Sequence, residues 1–186
     1  ISVFLICIII FSLAPIAFAT EPATTTQDAV IETTLDRADA LKDMGLFAGT
    51  DKGYELEALP TRTQAIVFLL RMLGEEKTSQ NSDFTCPFTD VPGWAYKYIA
   101  YAYNKGYTSG IGKTTFGAND LTTPVQFVTF MLRALGYSDK NSDFVWNESI
   151  KKAEELGIFP VGKYTTNGPF NRGDCVDIIY SVLSAK

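Results

Sequence analysis

No histidine occurs anywhere in the 186-residue chain, which removes the commonest general base and the commonest metal ligand at once. Asp and Glu are scattered among helix caps and connectors. No nucleophile–base pair, phosphate loop or metal-ligand spacing is present, so the sequence points away from catalysis, a bound metal or a cofactor. The groups that remain are binding groups. Arg62 and Arg172 each follow a helix-capping residue, Thr61 and Asn171. An arginine placed there is a solvated first-turn residue, a structural partner for a nearby carboxylate, or a cation that holds a ligand. Trp94, on an apolar helix face, suits the core better than a sugar-stacking platform, and Trp146 carries a weaker form of the same signal. Asp90, ahead of Val91-Pro92, suits a turn in which the carboxylate takes a backbone amide. Tyr96, Tyr98, Tyr101, Tyr103 and Tyr107 exceed what one buried face needs, so an exposed aromatic strip is expected there. The formal charge of -5, without any basic run, excludes a nucleic-acid partner.

These residues are positioned by helices that recur along the chain. Leu69-Leu70-Arg71-Met72-Leu73-Gly74 and Met131-Leu132-Arg133-Ala134-Leu135-Gly136 are nearly the same hexapeptide, which marks a repeat array. A first helix is expected from Thr34, with Leu35, Ala38, Leu41 and Met44 on one face and Gly45 as its stop. Thr61-Arg62-Thr63-Gln64 opens a second helix through a capping box, ended by Gly74. The central unit places a helix near Trp94 to Lys105, a Gly-rich connection through Gly110 and Gly112, and a helix from Thr123 with Pro124 at its first position. The last unit runs through Trp146, Ile150 and Ala153 to Gly157, and Asn171 with Asp174 caps its second helix. Gly53 to Leu56 and Thr115-Phe116 read as short extended pieces, and Glu75 to Phe84 as a polar connector. The expected class is mainly α: three helix-loop-helix units, about 34–74, 84–137 and 143–184, none of which can bury its apolar face alone.

Residues 1–19 are uncharged and end Ala17-Phe18-Ala19, which reads as a secretion signal, with a membrane-spanning anchor as the alternative. The initiator Met and a basic start are absent, as expected of a chain truncated there. Residues 20–33, rich in Thr, Ala and Pro, read as a linker to a domain over 34–186, with no stable membrane span once the signal is removed. In an exported chain Cys86 and Cys175 form one disulfide or remain two buried thiols.

Phe88-Thr89-Asp90, Trp94-Ala95, Gly106-Tyr107-Thr108-Ser109-Gly110 and Phe116 together resemble the S-layer homology family, the wall-anchoring modules of bacterial envelope proteins. The first unit keeps Thr61-Arg62-Thr63-Gln64 without a Trp, and the third keeps Arg172 and Trp146. The chain departs from the family pattern at Ala118, where the family has Pro, and at Pro124, where it has Arg. The resemblance implies three units around a pseudo-threefold helical core. It also implies inter-unit grooves that bind a secondary cell-wall polysaccharide, often pyruvylated, at the cell wall of a secreted, Gram-positive-type surface protein. Arg62 and Arg172 would then pair with an acidic ketal or carboxylate, Asp90 would bond sugar hydroxyls or order its loop, Trp94 would shape a groove, and Gly110 would let backbone approach the ligand. Trp146 would stand near the Trp position of its own groove. Pro124 carries no charge, so fewer than three working sites are expected. The alternative from a different class is a protein–protein interaction or self-assembly domain using the tyrosine-rich face.

Overall fold

The computed structural model describes residues 32–185; the segment read as a secretion signal, residues 20–31 of the linker, and Lys186 lie outside them. The described residues form seven α-helices: α1 Thr34–Asp43, α2 Arg62–Met72, α3 Glu76–Gln80, α4 Tyr96–Asn104, α5 Pro124–Ala134, α6 Ser149–Glu155 and α7 Arg172–Ser184. Single 3-10 turns, Gly93–Ala95 and Trp146–Glu148, lead into α4 and α6. None of the described helices is long and apolar enough to cross a membrane.

Local sequence explains where the long helices begin. The Thr61, Thr123 and Asn171 side chains each accept from the backbone amide three residues on, and Gln64, Gln126 and Asp174 reach back to the cap amide. Each pair satisfies donors that a bare helix start would leave unmet. Thr33 and Asp36 form a fourth such box at α1, so Thr33 belongs to the helix entry rather than to a solvated linker.

Two expectations change. The polar connector after Gly74 contains α3, because Glu76 accepts two bonds from Arg71 and so ties the new turn to the end of α2. The segments expected to be extended form no strand among the described residues; Thr50 and Gly53 share only an isolated bridge. The carbonyls of Tyr54, Leu56 and Ala58 accept from Arg172 and Gly173 at the start of α7, and those of Phe116, Ala118 and Asp120 accept from Arg62 and Thr63 at the start of α2. Backbone groups committed to a neighbouring helix entry are not free to build a ladder.

The heaviest packing falls between units rather than within them. Helix α1 packs on α7, α4 on α2 and α6 on α5, while α2 also touches α5 and α7. Leu41, Ile66, Leu69, Ile99, Phe116, Phe127, Met131 and Ile178 are fully buried in one core. Each contributes about 1.5–3 kcal/mol through its removal from water.

Cys86 and Cys175 are free, so the disulfide alternative gives way to two thiols. Cys175 is sealed inside α7, whereas the Cys86 amide and carbonyl engage the Tyr96 hydroxyl beside α4. The expected tyrosine strip is largely spent internally. Tyr101 is buried, Tyr98 meets Glu76 and Gln80, and Tyr107 meets Glu75; Tyr103 is the member of the five that stands exposed.

Candidate functional site

Two grooves in the described structure are built from corresponding residues. In the first, Arg62 enters from the start of α2, Ser109 and Gly110 come from the loop after α4, Gln126, Phe130 and Arg133 from one face of α5, and Trp146 from the turn before α6. In the second, Arg172 enters from α7, Ala48 and Gly49 from the loop after α1, Gln64, Phe68 and Arg71 from α2, and Trp94 from the turn before α4. The first encloses about 590 Å³ and the second about 170 Å³. Each groove therefore draws its arginine, its helix face and its tryptophan from three different units.

The two entering arginines are held alike. Arg62 is 3% exposed; its Nε donates to the Phe116 carbonyl at 3.0 Å and its Nη2 to that of Ser109 at 3.4 Å. Its guanidinium lies over the Phe116 ring at 4.9 Å and the Phe130 ring at 5.2 Å. Arg172, 6% exposed, donates from Nε to Tyr54 at 2.9 Å and from Nη2 to Ala48 at 3.5 Å, between the rings of Phe68 at 4.9 Å and Phe47 at 5.5 Å. Both loops need a left-handed residue just after the accepting carbonyl: Gly117 has φ 78°, and Glu55 holds φ 48° in the other.

Neither arginine forms an ion pair among the described residues. Burial lowers both guanidinium pKa values, opposed by Asp120 and Asp90 at Arg62 and by Glu55 at Arg172. Arginine stays protonated through such shifts. A buried cation is ordinarily neutralised by a partner charge. Here carbonyl oxygens and ring faces do part of that work.

Arg133 and Arg71 occupy the floors of the two grooves and are already paired. Arg133 makes two bonds to Asp139, at 2.9 and 2.7 Å, and Arg71 makes two to Glu76, at 3.0 and 2.9 Å. Those guanidinium donors hold the Asp139 and Glu76 carboxyls below their usual pKa. Sequence reasoning missed both floor arginines, although the two near-identical hexapeptides carry them as the charged member of an otherwise apolar run.

The tryptophans depart from the core position that helical periodicity favours. Trp94 is 64% exposed and Trp146 57% exposed, so both stand at groove rims and not in the core. Each sits in a 3-10 turn, which rotates it away from the apolar stripe of the helix that follows.

Asp90 lines neither groove; it orders the loop beneath one. Its carboxylate accepts from the amides of Phe116 at 2.7 Å, Gly117 at 2.7 Å and Ala118 at 3.2 Å. Desolvation acts to raise its pKa, but the backbone donors outweigh it and hold the carboxyl below its usual value. The Phe116 carbonyl accepts Arg62, and the Ala118 carbonyl accepts the Thr63 hydroxyl at 2.8 Å. The charge of Asp90 thus reaches Arg62 through one polarised peptide group, Phe116–Gly117, whose N–H donates to Asp90 and whose carbonyl accepts Arg62.

Gly110 lines the first groove, yet its lack of a side chain is required by the protein itself. A Cβ there would press on the Thr115 carbonyl and lie 2.5 Å from a Phe88 ring carbon. Gly49 meets the same kind of constraint against the Gly53 carbonyl, at 2.7 Å.

By register, a third groove would use Pro124, Val161, Asp174 and Asp177. There the Asp177 carboxylate accepts Arg37 at 3.0 Å and Lys163 at 3.0 Å, so an internal ion network occupies that junction. No cation equivalent to Arg62 enters at Pro124. Among the described residues no cluster of His, Cys, Asp or Glu could hold a metal ion.

Comparison with known proteins adds to this geometry. Residues 87–123 match the family model of the S-layer homology domain. The chain is 32% identical over 180 residues to the middle cell wall protein of Brevibacillus brevis (strain 47), covering 92% of the chain and 17% of that protein. It is 32% identical over 153 residues to the surface layer protein of Brevibacillus choshinensis, covering 79% and 13%. An endoglucanase of a Bacillus species (strain KSM-635) is 38% identical over 77 residues, covering 41% of the chain and 8% of the enzyme. The chain thus spans less than a fifth of the length of these relatives.

Proposed function

Starting from an S-layer homology domain at residues 87–123 and from relatives named for the cell wall and the surface layer, we propose that this chain is a non-catalytic envelope-anchoring module. It holds its polypeptide at the surface of a Gram-positive-type bacterium by binding a secondary cell-wall polysaccharide in its inter-unit grooves. The module runs from the Thr33 cap to residue 186, with three hairpins about a pseudo-threefold helical core, behind a secretion signal at 1–19 and a linker from residue 20 to that cap. The match to an endoglucanase fits this reading, since a shared segment covering 8% of that enzyme suits an anchor appended to varied cargo.

The observation that carries the reading is the pair of matching grooves, each with a buried, ion-pair-free guanidinium beside an exposed tryptophan. A guanidinium offers a planar fork of donors that fits a carboxylate, such as that of a pyruvate ketal on a sugar. An exposed indole offers a flat apolar face with a polar edge against which a sugar ring packs. Arg62, Trp146 and Gly110 serve one site, Arg172 and Trp94 the other, and Asp90 supports the first from behind. The tyrosine-face assembly alternative loses its footing, because most of those hydroxyls bond inside the molecule.

Sedimentation with purified wall sacculi, before and after chemical removal of the secondary polymer, tests the proposal. Binding is expected to depend on the polymer and to drop when Trp94 and Trp146 are both replaced by Ala, since two exposed side chains can be removed with little cost to folding. Binding that survives polymer removal overturns it.

A further inference from the structure

The larger groove does not end at Trp146 and Arg62. Ser109, Arg133 and Lys140 line it and also line a second cavity of about 320 Å³ bounded by Tyr103, Asn104 and Gly106. The geometry points to a two-subsite cleft. The anionic sugar sits at Arg62, and the next sugar residue of the same polymer chain occupies the adjoining cavity, packed on Tyr103. This rests on the reading of the Arg62 groove as an anionic-glycan site.

The chemistry of the second cavity suits a polyhydroxylated ring. Tyr103 is exposed, and its ring is steadied edge-on against Phe88, with centroids 5.1 Å apart. A ring fixed in this way offers a face at little entropic cost on binding. Asn104 is oriented by donating to the Thr85 carbonyl at 2.7 Å and the Ala100 carbonyl at 2.8 Å, which leaves its amide oxygen to accept from a hydroxyl. Lys140 is exposed, has no ion pair among the described residues and lines both cavities, so it stands at the junction as a cation between the two positions. Arg133, by contrast, is fixed by Asp139 and forms a rigid wall shared by both. A single sugar would leave the second cavity empty; a polymer has a following residue to place there.

The test is calorimetry with three probes: a methyl glycoside of one pyruvate-ketal hexose, and the di- and tetrasaccharides released from a pyruvylated wall polymer. The Trp94→Ala background weakens the smaller groove by removing its aromatic rim, so that the larger groove dominates the measurement. The oligosaccharides are expected to bind about fivefold or more tighter than the monosaccharide, the size of one aromatic contact. Tyr103→Leu, which keeps an apolar contact to Phe88, is expected to remove that gain and leave monosaccharide affinity within about twofold. A measurement on the unaltered protein makes the result independent of that variant: the amide resonances of Gly106 and Thr108 should shift with the tetrasaccharide and stay put with the monosaccharide. Equal affinity for all three probes, a length gain untouched by Tyr103→Leu, or silent Gly106 and Thr108 amides would overturn the second subsite while the anionic-sugar site stands. No binding of any probe would instead bring down the groove reading, and this inference with it.

Discussion

Replacing Asp90 by Asn isolates one carboxylate that acts at a distance. Asp90 accepts three backbone amides with its two oxygens. Asn retains one acceptor oxygen, and its NH2 group would face at least one of those N–H donors. Hydrogen bonds to a charged acceptor contribute about 1.5–3 kcal/mol each, so losing one or two of them amounts to roughly 2–5 kcal/mol before solvent is considered. Asp90 is exposed and water can reach the released amides, so the lower end applies, about 2 kcal/mol. That corresponds to roughly a thirtyfold change in the folding equilibrium. The pH dependence has a definite sign. The folded carboxyl is held below its ordinary pKa. Its contribution is therefore complete above the unfolded value near 3.9 and fades as pH falls through the lower folded value. Urea unfolding followed by circular dichroism should show the variant weaker by about 2 kcal/mol at pH 7, with the two proteins converging in acid once the folded Asp90 carboxyl is protonated. The loop that Asp90 orders carries the Phe116 carbonyl bound by Arg62, so glycan affinity should also fall in the larger groove and hold in the Arg172 groove. A stability difference under about 0.5 kcal/mol at pH 7, the scatter of ordinary surface changes, refutes the relay through the loop. So does a difference that persists unchanged in acid.

Three further outcomes follow from the same contacts. Gly110→Ala should destabilise by about 2–3 kcal/mol, read from the urea midpoint, because its Cβ would collide with the Thr115 carbonyl and the Phe88 ring rather than with a movable side-chain tip. In a chain begun at Thr20, a thiol reagent at pH 8 should titrate half-buried Cys86 first, and Cys175 only after denaturant is added. Burial drives the Cys175 thiol pKa well upward and keeps it protonated and shielded. Asp177→Ala should cost about 1–2 kcal/mol and expose the α1 end of the chain to protease, since Arg37 loses its partner across the α1–α7 contact and keeps only Glu32, and Lys163, in the loop before α7, loses the same carboxylate.

How much was legible in the sequence differs by residue. The capped starts at Thr61, Thr123 and Asn171 were, because a cap is a contact between residues three apart and needs no tertiary partner. The mainly α class followed from the same local signals and from the spacing of apolar residues. Arg62 and Arg172 could be picked out as candidates, but whether they were solvated, internally paired or aimed at a ligand depended on loops 54 and 118 residues away. Helical periodicity favoured the core for Trp94, and only the family resemblance put Trp94 and Trp146 near grooves, since a 3-10 turn shifts a side chain's azimuth in a way that periodicity cannot register.

Sequence alone settled where the capped helices α2, α5 and α7 start, for those choices rest on hydrogen bonds within one turn, whereas α3 escaped it. Only the tertiary structure decided that the first helix of each unit lies chiefly against the second helix of another, because apolar stripes of similar width are interchangeable until the whole core is filled. That exchange of partners brings an arginine, a helix face and a tryptophan from three separate units into one groove. It also leaves the junction at Pro124 without a matching cation, with the neighbouring Asp177 held by Arg37 and Lys163 instead.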